Sequence, residues 1–234
     1  MKKKVLKCIG MIILVIIAFL VIHTVRNMII IKNLSNKAES YKNANNYYIK
    51  SVSINQGNTI ECFYKDGRYV HTLTNVDELR SITRKMIKYF NGENENTYIE
   101  VESEEGTEKV ATLNSNGLPS FGKITNWFDD IDDMKQFILM SLMAHIRSVE
   151  QNGKECYEIT LVYASNILMP SDGDFALYIE KETGLTIRNI NGYSLDANGI
   201  KSPIITDYEY RFDVVTDEDL VEPDISEYKV QENN

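Results

Sequence analysis

Hydrophobic and polar positions follow three different rhythms along this chain. Over residues 5–25 nearly every position is apolar, broken only by Lys7 and by His23-Thr24 at its ends. As a helix this stretch measures about 31 Å, the thickness of the hydrocarbon core of a bilayer. Residues 32–45 (KNLSNKAESYKNAN) are polar and compatible with helix, and they read as a stalk lifting the rest of the chain off the membrane. From Asn46 the period changes to two. Strands are expected over 47–55, 59–65 and 68–74, the last two joined by Asp66-Gly67, one of the strongest hairpin signals. Residues 76–90 then place Val76, Leu79, Ile82, Met86, Tyr89 and Phe90 at helical spacing. Strands over 98–104 and 109–114 follow, then a second helix from about 131 to 149 closed by Gly153. The remainder is β again, over 155–164, 174–181, 185–191 and 203–215. In the last of these, Tyr208, Tyr210, Phe212 and Val214 share one face, and Asp207, Glu209, Arg211 and Asp213 the other.

Strands in two blocks with two helices between them predict an α+β protein. The expected architecture is an N-terminal transmembrane helix, then a strongly curved antiparallel sheet with two helices on its concave side. The expected organisation is a cytoplasmic stub and signal anchor over 1–31, the stalk over 32–45, one domain over 46–216, and an acidic tail over 217–234. That tail contains Pro223 and reads as an extended strap or a partly disordered end.

Charge adds direction. The chain has 25 basic and 34 acidic side chains, net −9. Five of the basic residues (Lys2, Lys3, Lys4, Lys7, Arg26) and no acid fall within residues 1–31, so the remainder is net −14. A body this acidic should repel nucleic-acid phosphates, whose binding needs clustered Lys and Arg. The basic cluster ahead of the apolar run predicts a cytoplasmic N-terminus and an extracytoplasmic body at the cell membrane. No A-x-A-like site follows Phe19, and Cys8 opens the run rather than closing it, so cleavage and lipidation are not expected. Outside the run, Cys62 and Cys156 fall on separate predicted strands. They are either a disulfide pair or two small buried fillers, and the sequence leaves both open.

Candidate chemistry is sparse. Asp129-Asp130-Ile131-Asp132-Asp133 reads as the start of a helix, where carboxylates meet free N–H groups, rather than as a cation site. Ser171-Asp172-Gly173-Asp174 and Asp196-Ala197-Asn198-Gly199 lack the alternating ligands of a calcium loop and read as turns. His23, His71 and His145 are scattered, and no nucleophile, phosphate-loop or zinc motif is present. An enzyme, a cofactor and a bound metal are therefore not expected. The second helix is apolar over more than one stripe, through Met134, Phe137, Ile138, Leu139, Met140, Leu142, Met143, Ile146 and Val149. One stripe suffices for a helix lying on a sheet. The excess suits either a cavity for an apolar ligand or a helix clamped on several sides.

The carboxyl-terminal half resembles the LolA-like family of lipoprotein-carrier domains. The resemblance rests on 175–190 (FALYIEKETGLTIRNI), a strand, a K-E-T-G turn and a strand, followed by the strand 204–215 ending in TDEDLVEPDISEY. It implies an unclosed β-barrel with helices lidding a hydrophobic interior that in relatives accommodates lipid chains. The family has no catalytic residues to carry over. The retained anchor departs from the periplasmic carriers and excludes shuttling between two membranes. The expectation is thus a single-pass, non-enzymatic envelope protein holding a lipid or acyl chain in a half-barrel. Its lid side would be Met134, Phe137, Ile138, Met140, Leu142 and Met143, and its wall Tyr208, Tyr210 and Phe212. The alternative is an interaction module that uses the same sheet as a scaffold for another envelope protein, with no ligand.

Overall fold

The computed structural model describes residues 2–77, 80–114, 124, 133–161, 175–195 and 201–231. In chain order the elements are α1 (Lys2–Glu39), β1 (Asn46–Ser53), β2 (Asn58–Lys65), β3 (Arg68–Asp77), β4 (Ile82–Phe90), β5 (Glu95–Ser103), β6 (Gly106–Asn114), α2 (Met134–Met143), β7 (Ala144–Gln151), β8 (Lys154–Leu161), β9 (Phe175–Glu180), β10 (Thr186–Leu195), β11 (Lys201–Phe212) and β12 (Lys229–Gln231). They fall into two compact units. Unit 1 is Met1–Glu39 with Thr125–Thr186, and unit 2 is Ser40–Ile124 with Ile187–Asn234. The expectation of one domain over 46–216 differs from this division, which recruits the N-terminal helix into a folded unit.

Unit 1 combines α1, α2 and the antiparallel meander β7-β8-β9. Every residue of α1 from 7 to 22 is exposed, and the helix is long and apolar enough to cross a membrane. Beyond that point the same helix enters a core. Ile31, Leu34 and Ala38 are buried, the first two in a cluster with Met140, Ala144, Ile146, Ile159, Phe175, Leu177 and Ile179. The spacing 27, 31, 34, 38 is one helical stripe, which is how a polar-looking segment buries one face. The expected stalk over 32–45 is therefore corrected. Through Glu39 it is continuous helix packed into unit 1, held by about 1.5–3 kcal/mol for each large aliphatic side chain buried.

The expected helix over 131–149 is α2 only as far as Met143. Ala144–Gln151 is a strand, with Ala144 and Ile146 buried and His145 and Arg147 exposed, a period of two. Gly153 does not close a helix. Asn152 and Gly153, at φ 54° and 75°, form the β7–β8 turn, and Asn-Gly suits such a turn because both central residues need positive φ.

Unit 2 is an open mixed sheet in the order β12-β6-β5-β4-β3-β2-β1-β11-β10. All its pairings are antiparallel except β12 with β6. Asp66-Gly67 turns β2 into β3 as expected, at φ 50° and 81°. The helix expected over 76–90 is a correction, because Ile82–Phe90 is β4, paired along its length with β3 and β5. Ile82, Met86 and Phe90 satisfy both periods, and Ile87 and Tyr89 line the other face of the strand. Ile82, Thr83, Ile87, Tyr89 and Phe90 are β-branched or aromatic and favour the strand once neighbours are present on both sides. Only one of the two expected helices over the body is therefore helical.

The tail is ordered through Gln231. Val215 and Leu220 are buried in a cluster with Tyr48, Val70, Ile87, Tyr98 and Ala111, with Tyr228 packed against it. Asn46 fixes the turn into the tail, its side-chain amide donating to Val215 O and accepting from Val215 N, both at 2.9 Å. Asp213 takes φ 57°, so the chain changes face there: Val215 is buried and Val214, expected to continue the apolar face of β11, is exposed. Cys62 and Cys156 are free buried thiols, one in each unit, and burial raises the pKa of both.

Candidate functional site

Two regions carry the chemistry, one in each unit. In unit 1 it is the place where α1 leaves its bare segment and enters the core. The side chain of Asn27 is fully buried and donates to Ser141 O at 2.9 Å and to Ala144 O at 2.7 Å. These are carbonyls of the last turn and C-cap of α2, which have no partner within their own helix. His23 Nε2, 3.2 Å from Ala144 O and 3.1 Å from Asn27 Nδ2, completes the cluster. Arg26 reaches Ile146 O, on the outer edge of β7, at 3.5 Å. The exposed edge of the meander is thus partly closed by side chains of α1, which removes hydrogen-bonding groups that another strand could use.

Higher on the same helix lies the K-E-T-G turn. Thr183 Oγ1 donates to Glu180 Oε2 at 2.7 Å, Gly184 N donates to Glu180 O at 2.9 Å, and Lys37 donates to Lys181 O. Gly184 has φ 74°, and a Cβ there would collide with Leu34 O and Ala38 N of α1. The glycine of this turn thus lets the helix backbone lie directly on it. The second helix begins as expected: Asp133 caps it, accepting from Lys135 N at 2.9 Å. Asp129 to Asp132 and the two turn motifs at 171–174 and 196–199 lie outside the described residues.

In unit 2 the faces of the sheet differ. One is covered by the tail. Asp217 pairs with Arg68 at 2.7 Å and Lys65 at 3.2 Å, and the two cations hold its carboxyl below the usual range. Tyr98 donates to Glu222 and Tyr228 to Glu100, at 2.5 and 2.6 Å, and Lys109 pairs with Glu227 at 2.6 Å. The other face carries an aromatic row in register across five strands, Phe212-Tyr47-Tyr64-Tyr69-Phe90. Tyr47 and Tyr64 stack at 4.7 Å, Tyr69 and Phe90 at 5.3 Å, and Phe212 meets Tyr41 at 4.5 Å. Tyr210 and Tyr208 extend the same face along β11, their rings 6.4 Å apart. All three β11 aromatics are half-buried, and burial raises the pKa of both tyrosines. His71 shares this face; burial, then Lys88, depress its pKa, against the opposing pull of Glu95.

The nine residues expected to bind a ligand are thus divided. Met134, Phe137, Ile138, Met140, Leu142 and Met143 belong to unit 1, and Tyr208, Tyr210 and Phe212 to unit 2. Within α2, Met140 lies in the core cluster with Phe137 packed against it, whereas Met134, Ile138 and Leu142 are exposed. Two surface clefts, of about 420 and 530 Å³, are lined by strand ends and turns: Lys154, Glu155, Glu180 and Lys181 with neighbours in one, and Asp77, Ile82, Glu102 and Glu104 with neighbours in the other. Neither includes any of the nine. The role of Asn27 was missed, although an Asn within an apolar run is a visible signal of a buried polar contact.

Together these features define an α+β protein with an N-terminal apolar helix built into a folded unit and a large open mixed sheet. No protein-family model and no curated protein matches the chain. Seventeen chains of solved structures are similar to it. In a crystal structure of MucB in complex with MucA(peri), the likeness covers 82% of this chain and 59% of that one, at 11% identity and a TM-score of 0.33. In a Pseudomonas aeruginosa MucA/MucB complex it covers 82% and 60%, at 10% identity and 0.34. A DUF1329 family protein from Desulfovibrio piger ATCC 29098 aligns over 80% of this chain and 94% of its own, at 13% identity and 0.23. The chain spans about three-fifths of the matched chain in the first two. At these scores the likeness is a distant one in fold and carries no argument about ligand or partner.

Proposed function

We propose that this chain is a non-catalytic, membrane-tethered binding module of the cell envelope, which holds a β-sheet domain at the outer surface of the bilayer for another envelope component. In this reading residues 7–25 cross the membrane, the lysines at the N-terminus stay in the cytoplasm, and both units lie outside. The observation that carries it is the continuity of α1, fully exposed from residue 7 to 22 and bonded into unit 1 from Asn27 onward. A cleavable leader has no need of a buried amide that caps a second helix. The sheet of unit 2 is, in this reading, the LolA-like half-barrel, and its aromatic face is the binding surface.

A second reading, in which that face holds a lipid or acyl chain, draws support from Tyr208, Tyr210 and Phe212 being half-buried on one side of β11. It has less support from α2, where Met140 and Phe137 are already occupied by the core. Labelling with a membrane-impermeant maleimide tests the tether. In intact cells Glu93→Cys should label and Lys4→Cys should label only after permeabilisation; the opposite pattern, or a mature N-terminus beyond Val25, would refute the proposal. Native mass spectrometry of the full chain separates the readings, since a retained lipid adduct that Tyr210→Ala abolishes would favour the second.

A further inference from the structure

The exposed apolar surface of unit 1 does not end where the bare segment of α1 ends. Ile29 is 56% exposed, one turn past Val25, and on α2 Ile138, Leu139 and Leu142 are 44%, 39% and 39% exposed. Counting from Lys7, whose ammonium belongs at the inner headgroups, a hydrocarbon core of about 30 Å takes up about twenty residues of helix. The outer boundary therefore falls at about Asn27, and any tilt of the helix moves it further along the chain. Asn27 is the residue that donates to Ser141 O and Ala144 O. The C-terminal end of α2 is thus fixed at the boundary by two hydrogen bonds, and Leu139 and Leu142 lie within one helical turn, about 5.4 Å, of Ser141. The headgroup layer is itself about 5–7 Å deep on each side.

We infer that unit 1 is seated in the outer headgroup layer of the bilayer that its own helix crosses, with Ile29, Leu139 and Leu142 as its lipid-facing side chains and Ile138 at the margin. The inference rests on the transmembrane reading of α1 and adds a second, interfacial contact to it. Local charge agrees. From Met134 to Ile146 the sequence MKQFILMSLMAHI contains Lys135 and His145 and no acid, the carboxylates ending at the cap Asp133 at the opposite end of α2 from Ser141, and Arg26 lies beside the C-terminal end. A stripe of exposed aliphatic side chains with no carboxylate among them can lie against anionic headgroups without repulsion. A stalk would keep such a stripe in water. The seat turns it toward the acyl-chain boundary.

Single-tryptophan quenching in the full chain tests this. Trp127 is the only tryptophan, so a Trp127→Phe background carrying Leu142→Trp, Leu139→Trp or Ile16→Trp gives one reporter at a time. Each variant is reconstituted into phosphatidylcholine–phosphatidylglycerol vesicles brominated either near the headgroup end or near the middle of the acyl chain. The expected result is about two-fold quenching of Leu142→Trp and Leu139→Trp by the shallow bromines, and of Ile16→Trp by the deep ones. If Ile16→Trp is quenched and neither α2 reporter is, the seat is refuted while the anchor stands. A blue-shifted but unquenched α2 reporter would mean that protein, such as a second copy, covers the stripe, which also refutes it. If Ile16→Trp is not quenched, the transmembrane reading fails and the seat fails with it.

Discussion

The two ends of this chain enter folded cores by opposite chemistry. The N-terminal helix joins unit 1 through the buried aliphatic side chains of Ile31 and Leu34 and the neutral amide of Asn27, with Arg26 and Lys37 donating to the carbonyls of Ile146 and Lys181. The C-terminal tail joins unit 2 through carboxylates, with Asp217 on Arg68 and Lys65, Glu222 on Tyr98 and Glu227 on Lys109, around only two buried aliphatic anchors, Val215 and Leu220. Near a bilayer a charged joint would have to be desolvated, and a neutral amide saturated by two carbonyls is cheaper to bury. In water exposed ion pairs cost little to form but are screened by salt. The helix joint, whose buried part is neutral, should therefore respond less to ionic strength than the tail joint.

Ways to break this contrast can be ranked by size. Gly184→Ala should be the most damaging single change, because the new Cβ meets the backbone of Leu34 and Ala38 and the residue is left at positive φ. The expected loss is about 3 kcal/mol of unit 1 stability, read by urea titration of the full chain in micelles. Asn27→Leu strands the carbonyls of Ser141 and Ala144 and should cost about 2–3 kcal/mol, with faster amide exchange in α2. Leu220→Ala removes the main aliphatic anchor of the tail and should cost about 2 kcal/mol, read as earlier proteolysis after Val215 while unit 1 is unaffected. Asp217→Asn should have the smallest effect, an increase in tail exchange that high salt reproduces in the native protein. The pH dependence has a defined sign. The folded-state carboxyl of Asp217 titrates below its ordinary value of 3.8, so its contribution is present above that pH and is lost as pH falls through the lowered value.

Where local rules suffice, the sequence is a good guide to this fold. Asp66-Gly67 forms its hairpin, and the burial of β11 alternates from Tyr208 to Phe212 as its residues imply. The failures have identifiable causes. Ile82, Met86 and Phe90 fit a helical and an extended period alike, with Tyr89 on the opposite face of the strand, and the choice is made by β3 and β5, which lie on either side. At 144–151 a decisive local signal was present: Asn152-Gly153 is a hairpin turn, and it outranks the helical spacing that continues past Met143. The packing of residues 32–39 was not legible, because Leu34 and Ala38 are too few to mark an apolar face without the turn at Gly184 that receives them. Of the residues expected to bind a ligand, Tyr208, Tyr210 and Phe212 share one face of β11, as the alternation of the sequence implies. Which of the α2 residues would be exposed depended on the location of α1, and no local pattern encodes that.

The central claim is that the N-terminal apolar helix is a structural part of unit 1 and not a leash. Hydrogen exchange of the full chain in lipid nanodiscs tests it most directly. The account predicts one protected block in α1, from the bare segment through Ala38, with residues 31–38 exchanging as slowly as the strand β8. Rapid exchange over 32–39, with protection confined to the segment before Arg26, would contradict it.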